Sequence, residues 1–426
     1  MPLAELIFYY LIIFFPFVLL IYLIKITKDE YFKITAREND ISIERVMYEI
    51  KIPKEVTKTP LAMEMVFSAL YNGGGESRPT DVLFKGKRRH YYSLEIVSDG
   101  GEIKFYIWTP KALVKVVESA FYAQYPGVQL IEVQDYTKFS AFDEKKDNLF
   151  GIEYKLSKED PYPIKTYRKF GLESVGLKPE EVTDPMSHII EVLSNIGPGE
   201  KVWLQMVIRA HKKDRSKNYG LFDIFKNKKF SEKSDWKDEA KEVIEKIRNV
   251  EDAKSTEEVK FKRIDASKES DLINDIIENT SKPGFWAGIR LVYFADKEKF
   301  NMANAPALAT IFSTLASNEL NSIIPARTSG DDTKYLRKLK YKKENFFKEY
   351  KRRKFFHYGK IDPHYYTPLM NLSYTEENAD GYTYADFVLS TEELATIFHL
   401  PTTTIVSPNF QREESAKGSA PANLPI

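Results

Sequence analysis

The chain has 426 residues, which at roughly 150 residues per domain suggests about three units. Its 63 basic and 62 acidic residues leave a net charge of +1, so a molecule-wide basic footprint for nucleic acid is excluded and any basic surface must be local. The absence of cysteine excludes disulfides, thiolate zinc sites, iron–sulfur clusters and cysteine nucleophiles, and a 43% hydrophobic, 14% aromatic composition argues for substantial cores.

Leu6 to Ile24 is 19 residues without a charge. As a helix it would span roughly 28 Å, close to a hydrocarbon core. No basic stretch precedes it and no small-residue cleavage site follows, which disfavours a signal peptide. Lys25, Lys28, Lys33 and Arg37 flank it downstream, against Glu5 upstream. The expectation is a single-pass anchor over 1–27 in the cell membrane, N-terminus outside and bulk cytoplasmic, followed by a polar linker over 28–43.

The next segments alternate. Glu44–Ile52 has strand periodicity, and Pro60 opens the helical LAMEMVFSAL. Asn72–Thr80 is a glycine-rich loop. His90–Ser98 and Glu102–Thr109 form a hairpin through Asp99-Gly100-Gly101, Pro110 opens a second helix, and Val128–Asp135 is a fourth strand. The order β-α-β-β-α-β is ferredoxin-like and occupies 44–136. It recurs over 149–330: a strand at Phe150–Leu156, a helix opened by Asp184-Pro185, strands at Lys201–Ala210 and Phe285–Ala295, a small-residue helix at Asn301–Ser317 and a closing strand at Leu320–Arg327. The second unit carries a charged insertion, 211–282, whose Lys233–Val250 is an amphipathic helix, either a solvated excursion or a partner-binding element. The fold class expected is α+β: an anchor helix, two tandem ferredoxin-like units and a basic helical C-terminal segment over 331–410, with a flexible tail over 411–426.

Motifs for catalysis are missing. Gly86-Lys87 is followed by Arg88 where a phosphate loop needs Ser or Thr, and HExxH and GxSxG are absent. The six histidines fit no ligand frame. The chain is therefore read as non-enzymatic, without cofactor or metal. Binding features remain. Tyr106 and Trp108 share one strand face, and Trp203 and Trp286 lie on the inner strands of the second unit. Such faces can bury against each other or a neighbouring subunit, making a homo-oligomer possible, or can stack bases. Lys334–Lys354 holds eleven basic and two acidic residues, a net of +9. Lys338, Lys340, Lys342, Lys343, Lys351, Arg352, Arg353 and Lys354 are its candidate contacts to anionic lipid or DNA, the alternative being a solvated face. Thr391, Glu392, Glu393 and His399 lie in a capped helix, STEELATIFHLP, with the acidic pair in its first turn.

The segments YEIKIPKEVTKTPLAMEMVFSAL, YYSLEIVSDGGEIKFYIWTP, VESAFYAQYPGVQLIEVQDYT, DPMSHIIEVLSNIGPGEKVWLQMVIR and VLSTEELATIFHLP together resemble one family. It is the membrane-anchored N-terminal region of type IV secretion-like DNA-translocating ATPases of the HerA/FtsK type, from candidate-phyla bacteria. The resemblance runs from Tyr48 to Pro425. The chain stops at Ile426, before an ATPase domain, so the family's catalytic residues have no positions here. The resemblance implies a scaffold that organises a separate motor ATPase at the membrane, with Thr391–His399 docking that partner. A membrane-tethered nucleic-acid-binding protein and a ligand-sensing module are the alternatives.

Overall fold

The computed structural model describes residues 3–53, 56, 58–71, 79–173, 184–211, 236–253, 259–328, 343–353, 355 and 387–401. The fold is α+β, built on a large antiparallel sheet. Helix α1 (Leu3–Ser42) leads into β1 (Arg45–Lys51), α2 (Leu61–Leu70), α3 (Pro79–Lys85), β2 (Tyr91–Asp99), β3 (Glu102–Pro110), α4 (Val114–Gln124) and β4 (Gln129–Val133). The second half runs β5 (Asp147–Leu156), α5 (Pro185–Ser194), β6 (Glu200–Ala210), α6 (Trp236–Ala253), α7 (Val259–Ser281), β7 (Gly284–Asp296), α8 (Ala305–Ala309) and β8 (Ile323–Thr328). Then come α9 (Lys343–Arg352), β9 (Phe387–Ser390) and α10 (Thr391–Ile397).

The strand order is β4-β1-β3-β2-β6-β7-β5-β8. Read inward from its outer edge, each half gives its fourth, first, third and second strand. The halves are joined by β2 and β6, antiparallel from Tyr91↔Arg209 to Asp99↔Lys201. Gly100 and Gly101 take the positive φ that the hairpin turn requires. Strand β9 pairs with the start of β7, Gly284↔Ser390 to Ala287↔Phe387, before β5 takes over from Arg290 onward.

One sheet face holds the main core. Leu94, Ile96, Phe105, Ile107, Ile152, Leu204, Met206, Ile289 and Leu291 alternate inward and pack under the helices with Met63, Phe67, Phe121, Ile189, Leu193 and Leu394. Proline and capping chemistry fix where these helices start: Pro60 precedes α2, and the Asp184 carboxylate accepts from the Met186 N–H at the head of α5.

Among the described residues, no helix is long and apolar enough to cross a membrane. Two expectations need correction. The apolar run of α1 continues through residues 28–42 as helix rather than a linker, since that stretch has neither Pro nor Gly to stop it. Asn301–Ser317 breaks into a turn at Met302–Asn304, the short α8 and a turn at Ser313–Leu315. The run Thr310-Ile311-Phe312-Ser313-Thr314 is poor in helix formers, and this breaks it. In the insertion, α6 turns its apolar face inward, burying Ala240 and Val243 against Ile276 of α7.

Candidate functional site

The opposite face of the sheet carries the aromatic residues singled out in the sequence, and the basic helix covers it. Tyr106 of β3 and Trp203 of β6 are buried there with Val97, Leu149, Val292 and Phe294. Helix α9 lays Phe346, Phe347 and Tyr350 onto them. Trp203 is enclosed by rings: Phe294 at 4.6 Å, Tyr136 at 4.8 Å, Tyr350 at 5.5 Å and Phe347 at 5.7 Å between centroids. Gly151 lets this happen, because a Cβ there would lie 2.6 Å from the Phe346 ring. Trp108 is half-buried beside Tyr91, and Trp286 beside His211. The expectation of two sheets facing each other is corrected: the strands form one sheet, and Tyr106 and Trp203 are covered by α9 of the same chain.

A polar rung crosses this apolar face. Register places Glu49, Tyr106, Glu95, Gln205, Arg290 and Glu153 side by side on β1, β3, β2, β6, β7 and β5. Arg290 reaches Glu153 at 3.2 Å and donates to the Glu349 carbonyl of α9 at 2.8 Å. Gln205 donates to Glu95 at 3.0 Å and to the Tyr350 carbonyl at 3.1 Å. Both carbonyls belong to the last turn of α9, where intrahelical partners run out; that of Tyr350 also accepts from the Arg353 N–H at 3.0 Å. Arg353 completes the fastening. Its guanidinium donates to Glu95 at 2.7 and 3.1 Å and to Asp135 at 2.7 and 3.0 Å. Tyr136 donates to Glu95 at 2.7 Å and meets the Tyr350 hydroxyl at 2.8 Å. Burial alone would raise the Asp135 carboxyl, but the Arg353 charge and the Thr137 donors outweigh it and hold it below its usual range. Burial first, then the Glu95 charge, pushes Tyr136 and Tyr350 well above ordinary phenols.

Arg353 is therefore corrected as a surface contact: it is 1% exposed, in the left-handed region at φ 51°, with its charge spent on two carboxylates. Lys351 is half-buried and donates to the Ser140 carbonyl at 2.9 Å; Arg352 is exposed and reaches Glu349 at 3.3 Å; Lys343 bonds Asn148. Lys338, Lys340, Lys342 and Lys354 lie outside the described residues.

The capped helix is also internal. The Ser390 side chain accepts from the Glu393 N–H, and the Glu393 carboxylate accepts from the Ser390 and Ile164 N–H groups, a capping box whose acid is completely buried. That burial raises Glu393 to about 7 against opposing hydrogen bonds. Lys282 lies between Glu392 and Glu64, and Arg168 reaches Glu392 at 3.2 Å. Thr391 is buried, its N–H donating to the Pro283 carbonyl. His399 bonds the Ala395 carbonyl through Nδ1 at 2.7 Å and Asp184 through Nε2 at 3.1 Å. Burial would raise the Asp184 carboxyl, yet the His399 charge and its hydrogen bond, with the Met186 N–H, bring it below its usual range. These side chains close α10 onto α2 and α5, which corrects the expectation that Thr391–His399 presents a docking surface.

Sequence reasoning missed the rung. Its signal was a charged or amide residue flanked by apolar ones within each strand: Glu95 in YYSLEIVSD, Gln205 in KVWLQMVIRA, Arg290 in FWAGIRLVYFA and Glu153 in FGIEYKL. A buried charge of this kind demands a partner.

Residues 44–413 match the family described as Domain of unknown function (DUF8128). The chain belongs to that family. The DUF8128 match begins two residues after α1 ends and takes in the whole sheet, α9 and α10. No curated protein matches the sequence.

Proposed function

We propose that this DUF8128 chain is a membrane-anchored, non-catalytic assembly platform. The N-terminal half of α1 serves as a single-pass anchor, and the sheet body works at the cytoplasmic face. There it organises a separate type IV secretion-like ATPase that moves DNA or protein. The observation that carries this reading is the exposure of α1. Phe14, Phe15, Phe17, Val18, Leu19 and Leu20 are all exposed, as are Tyr22, Leu23 and Ile24. Consecutive helical positions point in all directions, so the apolar surface surrounds the helix, as lipid requires and a one-sided protein contact does not. The charged groups described above support the non-catalytic part, since they pair with each other inside the body.

Each half of the sheet is read as a ferredoxin-like unit. The fourth–first–third–second strand order, with α2 and α4 between the strands of the first half, supports this. The experiment is membrane fractionation of the full chain beside a deletion of residues 1–27. The full chain is expected in the membrane pellet and the deletion in the supernatant; a deletion that stays in the pellet overturns the anchor. An affinity pull-down from gently solubilised native membranes then tests the platform. Recovery of a phosphate-loop ATPase is expected, and a preparation without one overturns that role.

A further inference from the structure

Beyond Ile24 the charges return, and the exposed apolar surface of α1 narrows to one stripe. Tyr31, Ile34 and Ile41 are 48%, 55% and 72% exposed. The opposite side of the helix is taken by the body of the protein. Ala36 is completely buried, and Gly86 comes so close to the Thr35–Ala36 backbone that a Cβ on it would lie 2.1 Å from the Thr35 carbonyl oxygen. Asp40 holds Arg45 through its carboxylate and, at 2.9 Å, through its carbonyl, and Asn39 and Ile43 are half-buried beside it. At roughly 100° per residue, Asn39, Asp40 and Ile43 lie within about 60° of Ala36, whereas Tyr31, Ile34 and Ile41 lie roughly 140–220° from it, on the far side.

The spacing of the stripe is a heptad. With Tyr31 as a and Ile34 as d, the same steps of three and four run back through Thr27 and Ile24 to Tyr10 and forward through Glu38 to Ile41. Every a and d position in that run is exposed, and Thr27 and Glu38 alone are neither aliphatic nor aromatic. The residues against the body take the outer positions of the same frame: Asn39 is b, Asp40 is c, and Ala36 and Ile43 are f. We infer that this seam is an interface between copies of the chain, each α1 lying parallel and in register with α1 of the next. Charge favours that register. A knob at a packs beside the preceding g residue of the neighbouring helix, which sets Glu38 of one copy against Arg37 of the next, both exposed in the single chain. An antiparallel pair of full overlap would instead set Glu38 against Ile13. Lipid does not cover the stripe, an exclusion that rests on the anchor reading: Tyr31 to Ile41 stand roughly 10–25 Å past Ile24 along the axis, whereas the headgroup layer is only about 5–8 Å deep. A short isolated helix would be marginal, but this stretch is already helical and held to the body at its end. Isoleucine at both d positions, 34 and 41, shifts the preference from two strands to three or four.

The test uses the full chain in detergent. Because it has no cysteine, single substitutions can be cross-linked by mild oxidation without background. Ile34→Cys and Ile41→Cys should each give a disulfide-linked pair of chains. Asn39→Cys, beside the body on the same stretch of helix, and Met302→Cys, exposed elsewhere, should stay unlinked. Both seam positions can link to themselves only when the helices are parallel and in register. Sedimentation of the unaltered chain should give the mass of three or four copies, and Ile34→Glu with Ile41→Glu the mass of one. Glutamate keeps the helix propensity, and unchanged hydrogen exchange in β2 and β6 shows that the double variant is folded. A single copy for the unaltered chain, or linking at Asn39 and Met302 equal to that at the seam, overturns the interface. Linking at one seam position alone overturns the parallel register, and a mass of two copies overturns the strand number. If the full chain is soluble without detergent the anchor reading fails, and the same measurements in plain buffer still read the seam.

Discussion

Replacing Arg353 with Met keeps much of the side chain's length and removes its charge. The guanidinium holds two carboxylates, and these differ in their escape routes. The Asp135 side chain is 16% exposed and can turn to water; Glu95 is at 0% and cannot. Stranding one buried charge costs about 3–5 kcal/mol. Tyr136, Ser93 and Gln205 still donate to Glu95, which favours the lower end. Because Arg353 sits at the end of α9, the cost falls on keeping that helix against the sheet. Hydrogen exchange of residues 343–353 should therefore quicken by roughly two to four orders of magnitude, since 1.36 kcal/mol is tenfold. Trp203 fluorescence should shift to the red as its enclosing rings loosen. Adding Glu95→Gln to Arg353→Met removes the stranded charge and should recover most of the protection. Exchange over 343–353 unchanged in the single variant would refute the fastening role of Arg353.

Other perturbations read the same architecture. Gly151→Ala drives a methyl into the Phe346 ring and should cost about 1–3 kcal/mol, visible as faster exchange in α9 while α10 is unaffected. Ser390→Ala removes the cap of α10 and should cost about 1 kcal/mol by thermal melting of the full chain. Glu393 is raised in the folded state from 4.5 to about 7. Its stabilising contribution is full below pH 4.5 and is lost as pH rises through about 7, so carbon-13 titration of its carboxyl should show a midpoint near neutrality. Asp135 and Asp184 have the opposite sign. Both are lowered from 3.8, so their contribution is present above that pH and is lost on acidification through their folded values; His399→Gln should reduce that acid sensitivity.

Much of the strand and helix order was legible because its punctuation is local. Pro60, Asp99-Gly100-Gly101, Asp184-Pro185 and Ser390 set boundaries with near neighbours alone, and the observed elements begin or end there. What the covered faces meet was not legible, since that depends on partners far along the chain. Arg353 and Glu95 are 258 positions apart, and nothing near Arg353 in KEYKRRK distinguishes it from the exposed Arg352. Composition read the basic run as one surface, whereas its period already separates Phe346, Phe347 and Tyr350 onto a buried side. The capped helix was found by its box and misjudged in its surroundings: Glu392 and Glu393 look solvated in sequence, yet one meets Lys282 and Arg168 and the other is buried.

The closure of the aromatic face by α9 also sets a schedule for synthesis. Trp203 leaves the ribosome 150 residues before Arg353. At roughly 5–20 residues per second, the nascent chain carries that uncovered face for about 8–30 s. Phe294 and Tyr106 wait with it, and none has a permanent cover until the C-terminal quarter of the chain has emerged. The newborn protein thus has a stretch of seconds in which it is most prone to aggregate, and a general holding chaperone would act on it then.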